Sequence, residues 1–512
     1  MGNLKSRLGA LVRRDSTVSG AITAVIVAIV LVANVILYIL SGFFGLYLYS
    51  PEEVDLELSG ATDALFASDI QAGRRVKIIF CQPREDVRNS AFGADVLKTA
   101  ENFKEKYPEF IEIEYINITV KRKYTDGGST FGEYVDVDKY CTENADGTKF
   151  PVLKTSVIFE CENNHKTLTD SVTTDGYAGF YTLDSQYNIV AYNGEEIIAS
   201  MVKWVLREEH KTVYFSVYHG ETVDTGFANM MSASGYNVSL LDLRSKDVPE
   251  DAALVVISNP RNDFEKALPG SDVDAEIDRL KEYVDKRGGS VYVSLDPYGK
   301  TLGHLETFLS EYGIGVRSAE TELGSMREIV RDASGSISSD NLSLVVDFAE
   351  GALASKISAT VKKYTDGGVA LRECGVLTTD SSFGAEALLV ARSSAETYAG
   401  ADKITEGGGY CVAAATPTSE GGGIFVTSGI YLTGTDTLVG GGYSNRDFVY
   451  SVMENLFGAT ELPYGCKTVY YASEKLNDLT MGTARLYTAL LMAIPAGIAV
   501  FGAVLLTRRK NR

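Results

Sequence analysis

The chain has 512 residues, 45% of them hydrophobic, and carries 68 acidic against 48 basic side chains for a net charge of −20. That balance excludes nucleic acid and an anionic membrane surface as partners, because like charge repels. Six cysteines with no CxxC pair and only four histidines exclude a zinc knuckle, a dithiol redox motif and a histidine-rich metal site.

The first element in chain order is an uncharged apolar run from 19 to 40, continued by Phe43, Phe44 and Leu46 to Tyr49. Roughly 20 apolar residues cross a ~30 Å hydrocarbon layer, so 19–49 is expected to be a transmembrane helix. Lys5, Arg7, Arg13 and Arg14 precede it and mark 1–18 as a cytoplasmic tail. The run is longer than the apolar core of a signal peptide, and bulky residues follow it. A second run, 486–506, is followed by Arg508, Arg509, Lys510 and Arg512, which makes 507–512 a cytoplasmic tail as well. The layout implies a plasma-membrane protein with both termini cytoplasmic and 50–485 extracytoplasmic. In that setting Cys141 with Cys161, or Cys374 with Cys411, are candidate disulfides.

The segment between the runs is longer than one core usually organises, so two α/β lobes are expected, 50–191 and 192–460, with 461–485 as a linker. The first opens with a strand around Val76, Ile78 and Phe80, then a helix over 91–107 and an alternating strand over 110–120. Gly-, Asp- and Thr-rich hairpins follow over 124–184. The second begins with a helix over 195–209, whose stripe includes Ile198, Met201, Val202 and Val205. A strand over 212–218 runs into His219-Gly220-Glu221. Strands over 237–243, 253–258 and 290–295 alternate with helices through Met230, over 273–286 and over 301–312. That order predicts an α/β sandwich around a parallel sheet, with ligand-facing loops at the carboxyl ends of its strands. After a weaker stretch, strands over 410–417 and 423–429 and a helix over 446–457 close the lobe.

Chemistry is sparse. Gly299-Lys300-Thr301 resembles the end of a phosphate loop, but the loop needs Gly at position 294, which is Ser294. No G-x-S-x-G elbow or H-E-x-x-H helix occurs. The candidate binding cleft is His219, Gly220 and Glu221, with Asp296 at another strand end and Asn445 at a helix start. A catalytic reading makes His219 a general base oriented by Glu221. The plainer reading makes His219 a hydrogen-bonded loop residue, Glu221 a capping carboxylate and Asn445 a helix cap. No metal and no cofactor are expected.

Asn193-Gly194-Glu195-Glu196, Tyr218-His219-Gly220-Glu221, Leu295-Asp296-Pro297 and Asn445 to Phe448 occur in the order of a known pattern. With the terminal runs, they resemble the gliding-motility-type (GldG-like) auxiliary subunits of ABC transporters, departing at Tyr218 where that pattern has Gly. The resemblance implies a non-catalytic subunit of an export system, its ATPase and permease being separate chains. The second lobe resembles the flavodoxin-like, class I glutamine amidotransferase-like sandwich. Where such enzymes place a nucleophilic Cys, this chain reads VVISNP over 255–260, so no glutaminase is implied. Two rival expectations are an enzyme acting on cell-surface carbohydrate or peptide through His219, Glu221 and Asp296, and a membrane-bound ligand sensor.

Overall fold

The structure is a computed structural model. It describes residues 55–471, apart from 119–123, 127–128, 132–136, 144–148, 169–175, 184–188, 268–274, 439–442 and single positions 224, 323, 366 and 430. The described residues from Leu56 onward belong to one compact unit.

The first core gathers around a four-stranded sheet ordered β2-β1-β3-β4. Its strands are β1 (Val76–Phe80), β2 (Ile111–Tyr115), β3 (Val157–Cys161) and β4 (Asn164–Leu168). β1 and β2 are parallel because the helix Gly93–Lys106 crosses between them, whereas a two-residue turn makes β3 and β4 antiparallel. The helix Gly194–Leu206, expected to open the second lobe, packs Ile198, Met201, Val202 and Val205 into this first core instead. So does the segment expected as a linker: Cys466 is buried there, and Val469–Tyr470 pairs with Ile189–Tyr192.

The second sheet has a main path β6-β5-β7-β8-β13-β12-β11-β9-β10. Its strands are β5 (Thr212–Ser216), β6 (Asn237–Leu241), β7 (Ala252–Ser258), β8 (Val291–Ser294), β9 (Ser343–Phe348), β10 (Val369–Arg372), β11 (Glu386–Val390), β12 (Cys411–Pro417) and β13 (Gly423–Thr427). The run from β6 to β13 is parallel, as expected. The other half is antiparallel, because the connection from β12 to β13 is a tight hairpin and leaves no length for a crossover. Alternate residues serve opposite faces: Leu254 and Val256 enter one core, Val255 and Ile257 the other. Helices Thr225–Ala233, Ala352–Val361 and Asn445–Phe457 cover the first face, and Glu276–Arg287 with Gly303–Glu311 cover the second. Burial on both faces explains why 253–258 is continuously apolar rather than alternating.

The expectation of flanking transmembrane helices, and with it the plasma-membrane location and the extracytoplasmic placement, is corrected. Among the described residues no helix is long and apolar enough to cross a membrane. The longest, Gly93–Lys106, has 14 residues, about 21 Å at 1.5 Å per residue against a ~30 Å hydrocarbon layer. The runs at 19–49 and 486–506 lie outside the described residues. The α/β character stands without them. All six cysteines are free thiols, including the two candidate pairs.

Candidate functional site

In the second sheet the chain leaves β5 for β6 on one side and then returns to β7 on the other. The carboxyl ends of β5 and β7 therefore form the topological switch point, where open α/β sheets leave a crevice. His219-Gly220-Glu221 follows β5 directly, and Asn259-Pro260-Arg261 follows β7. The two loops are tied together: Arg261 N and Asn262 N both donate to His219 O at 2.8 Å.

Backbone strain marks the same place. Tyr218 has φ 82° and Asn259 φ 55°, conformations that favour glycine, and Gly220 sits at φ 76°. A side chain at Gly220 would also meet Arg261 Cβ at 3.0 Å. Tyr218 is 65% exposed, with the Arg244 guanidinium 4.1 Å over its ring. Asn259 is buried, and its Oδ1 has no partner among the described residues.

His219 turns inward and is 4% exposed. Its Nδ1 lies 3.2 Å from Glu221 Oε1 and its Nε2 2.9 Å from Glu276 Oε1, while the ring stacks on Phe264 at 3.9 Å. His219 N donates to Glu221 Oε2, and Ser216 Oγ donates to Glu221 Oε1, both at 2.6 Å. Glu276 stands in the first turn of its helix, where the macrodipole favours an anion, and its Oε2 accepts from Glu265 N at 2.7 Å. Burial works against a charged imidazole, but the hydrogen bond to Glu221 and the charges of Glu276 and Glu221 outweigh it. His219 therefore titrates above its ordinary value. For Glu221 burial pushes upward, and the bonds from His219 and Ser216 reverse that, holding its carboxyl below its ordinary range. Both ring nitrogens thus face carboxylates: Nδ1 is hydrogen-bonded to Glu221, and Nε2 lies beside a Glu276 oxygen that has no hydrogen-bond partner among the described residues.

The other expected residues stand apart. Asp296 ends the strand two places from β5, about 10 Å along the sheet. Its Oδ1 accepts from Tyr298 N at 2.8 Å and its carbonyl from Arg327 Nη1 at 2.5 Å, the work of a strand-ending turn. Asn445 does not cap its helix with its side chain. Its Oδ1 accepts from Ala370 N and its Nδ2 donates to Ala370 O, both at 2.8 Å, and to Leu432 O at 3.0 Å. Ala370 lies on β10, the far edge of the sheet and seven strands from β5, on the order of 30 Å away. The amide thus completes an open sheet edge. Sequence reading missed Glu276 and Phe264, which close the cluster. The acidic first turn of the 276 helix was visible, but nothing local pointed it at His219.

A second cluster joins motifs that sequence reading kept separate. Glu196 Oε2 pairs with Arg446 Nη1 at 2.7 Å, and Tyr450 donates to Glu196 Oε1 at 2.7 Å. Arg446 also donates to Thr468 Oγ1 and to Cys466 O, both at 3.0 Å. Beside it, Glu195 accepts from Ser59 N at 2.9 Å and from Lys467 N at 2.8 Å. The helix over 194–206, the helix over 445–457 and the segments around 59 and 467 are clasped at one point.

Among the described residues no group of His, Cys, Asp and Glu could hold a metal ion. No family model and no curated protein matches the sequence. Among solved structures, one titled "Structure of PurLQS from Thermotoga maritima" is similar over 48% of this chain and 99% of its own length, at 10% identity and a TM-score of 0.28.

Proposed function

We propose that this chain is a non-catalytic scaffold, the auxiliary subunit of an ABC-type transport system, whose lobes bind another protein or the transported substrate beside separate ATPase and permease chains. The observation that carries the reading is where the motif residues go. Glu195, Glu196 and Arg446 tie segments of the chain together, and the buried His219 is set between two carboxylates, bonded to Glu221 and paired with Glu276. These motif residues serve the architecture of the chain. The failed phosphate loop at Ser294 fits an ATPase that is a different polypeptide.

The test is to tag the full chain in its native cells, extract it in mild detergents and quantify what co-purifies. An ABC ATPase and permease recovered in fixed ratio is the expected result. Recovery of the chain alone in every detergent overturns it.

A further inference from the structure

The switch point lies at the carboxyl edge of the parallel strands; a pocket among the described residues lies at the opposite edge. There a cavity of about 220 Å³ opens between the starts of β5, β7 and β8 and the ends of two helices. Lys211, Tyr236, Glu250 and Arg287 supply its polar lining, with Phe457 and Ala253 among its walls. At about 30 Å³ per water, the space equals roughly seven waters.

The groups around it have a definite electrical layout. Helices Glu276–Arg287 and Asn445–Phe457 both end here, at Gly288 (φ 62°) and Gly458 (φ 67°). Their carboxyl termini carry partial negative charge and attract a cation. Glu250 adds a full negative charge on the same cavity. Arg287 adds a positive charge, its N–H groups donating to the neutral carbonyls Val248 O and Pro249 O at 2.6 Å each. Lys211 is exposed on the rim, and neither its ammonium nor the Glu250 carboxylate has a hydrogen-bond or ion-pair partner among the described residues. The Tyr236 hydroxyl is likewise unspent, and burial of its ring raises the phenol above its ordinary value. Gly458 faces open space, with nothing within 4 Å of where a Cβ would stand.

We infer that this cavity is a binding site for a small zwitterion, a free α-amino acid, with its carboxylate on Lys211 and its ammonium on Glu250 and the helix carboxyl ends. A zwitterion matches both Lys211 and Glu250 at once, whereas a ligand with one sign of charge finds an opposite charge on only one of them. The inference stands independently of the transport-subunit reading, since it concerns the other edge of the sheet.

Calorimetric titration of the full-length chain with each of the common L-α-amino acids tests it. Binding of at least one is expected, weakened about tenfold or more when the same compound is N-acetylated or converted to its amide. Lys211→Ala and Glu250→Ala should each weaken binding by a similar factor while leaving the melting temperature unchanged, as both side chains are exposed. Ala253→Leu, which fills the cavity, should abolish it. Absence of heat with every amino acid overturns the proposal, and so does binding that survives both charge-removing substitutions.

Discussion

One buried charged cluster joins the first core to the second and another sits at the switch point of the second sheet, and they are built on different electrical plans. The clasp pairs one cation, Arg446, with one anion, Glu196, and satisfies Glu195 with neutral N–H and O–H donors. The switch-point cluster sets two carboxylates, Glu221 and Glu276, around one imidazole. A guanidinium stays charged at any pH a protein survives, so the cation of the clasp does not change with pH near neutrality. The imidazole does not, so the positive charge between Glu221 and Glu276 is lost as pH rises through the folded value of His219, which lies above its ordinary one. Buried charge thus serves as a fixed joint in one place and as a conditional one in the other.

Breaking the clasp should have the largest effect. Arg446→Ala leaves the Glu196 carboxylate buried without its cation and should cost about 3–5 kcal/mol, read from urea denaturation midpoints. The paired replacement Glu196→Leu with Arg446→Met should recover most of that loss, because the Glu196 carboxylate is then no longer left stranded. If the pair is as destabilised as the single variant, the ion pair is not what joins these segments.

His219→Ala comes next, at about 2–3 kcal/mol near neutral pH, for the loss of the hydrogen bond to Glu221 and of the ion-pair contact with Glu276. The pH profile separates it from the clasp. The pKa of His219 is raised on folding above 6.5, so its contribution is complete below 6.5 and fades as pH rises through the folded value. Glu221 is depressed on folding, so its contribution is complete above 4.5 and fades as pH falls through its lower folded value. Wild-type midpoints should decline as pH rises past 6.5, and those of His219→Ala should not. An equal decline in both proteins would place the titrating group elsewhere.

The contrast also shows what the sequence could tell. Period and turn signals placed the strands at 76–80, 212–216, 253–258 and 291–294 close to where they lie, because each is a local pattern of buried residues. The parallel half of the second sheet followed from strands alternating with helices. The antiparallel half did not, since its short strands lie in Ser- and Gly-rich sequence and their pairing is decided by hairpin length. His219 and Glu221 were legible as a pair because they are two residues apart. Glu276 was not, nor was the meeting of Glu196 with Arg446, which are 250 positions apart and joined only by tertiary packing. Asn445 was misread for the same reason: a local cap is the default for an Asn at a helix start, and only the fold brings Ala370 to it.

Asn445→Ala should therefore cost more than a lost cap. It strands the N–H and C=O of Ala370, and a decrease of about 1–3 kcal/mol is expected, with faster amide exchange confined to Val369–Arg372. A loss below ~1 kcal/mol with unchanged exchange would mean that water replaces the amide at that edge.

The smallest effect returns to the switch point. Gly220 lies at φ 76° with Arg261 Cβ 3.0 Å from where its own Cβ would stand. Gly220→Ala forces an L-residue into that conformation and crowds the loop that bonds His219 O, so about 1–2 kcal/mol should be lost. Because the substitution leaves the imidazole between its two carboxylates, the decline of stability above pH 6.5 should persist in Gly220→Ala. A flat profile in that variant would mean the turn, rather than the two carboxylates, sets the protonation of His219, and the conditional joint would then lie in the backbone.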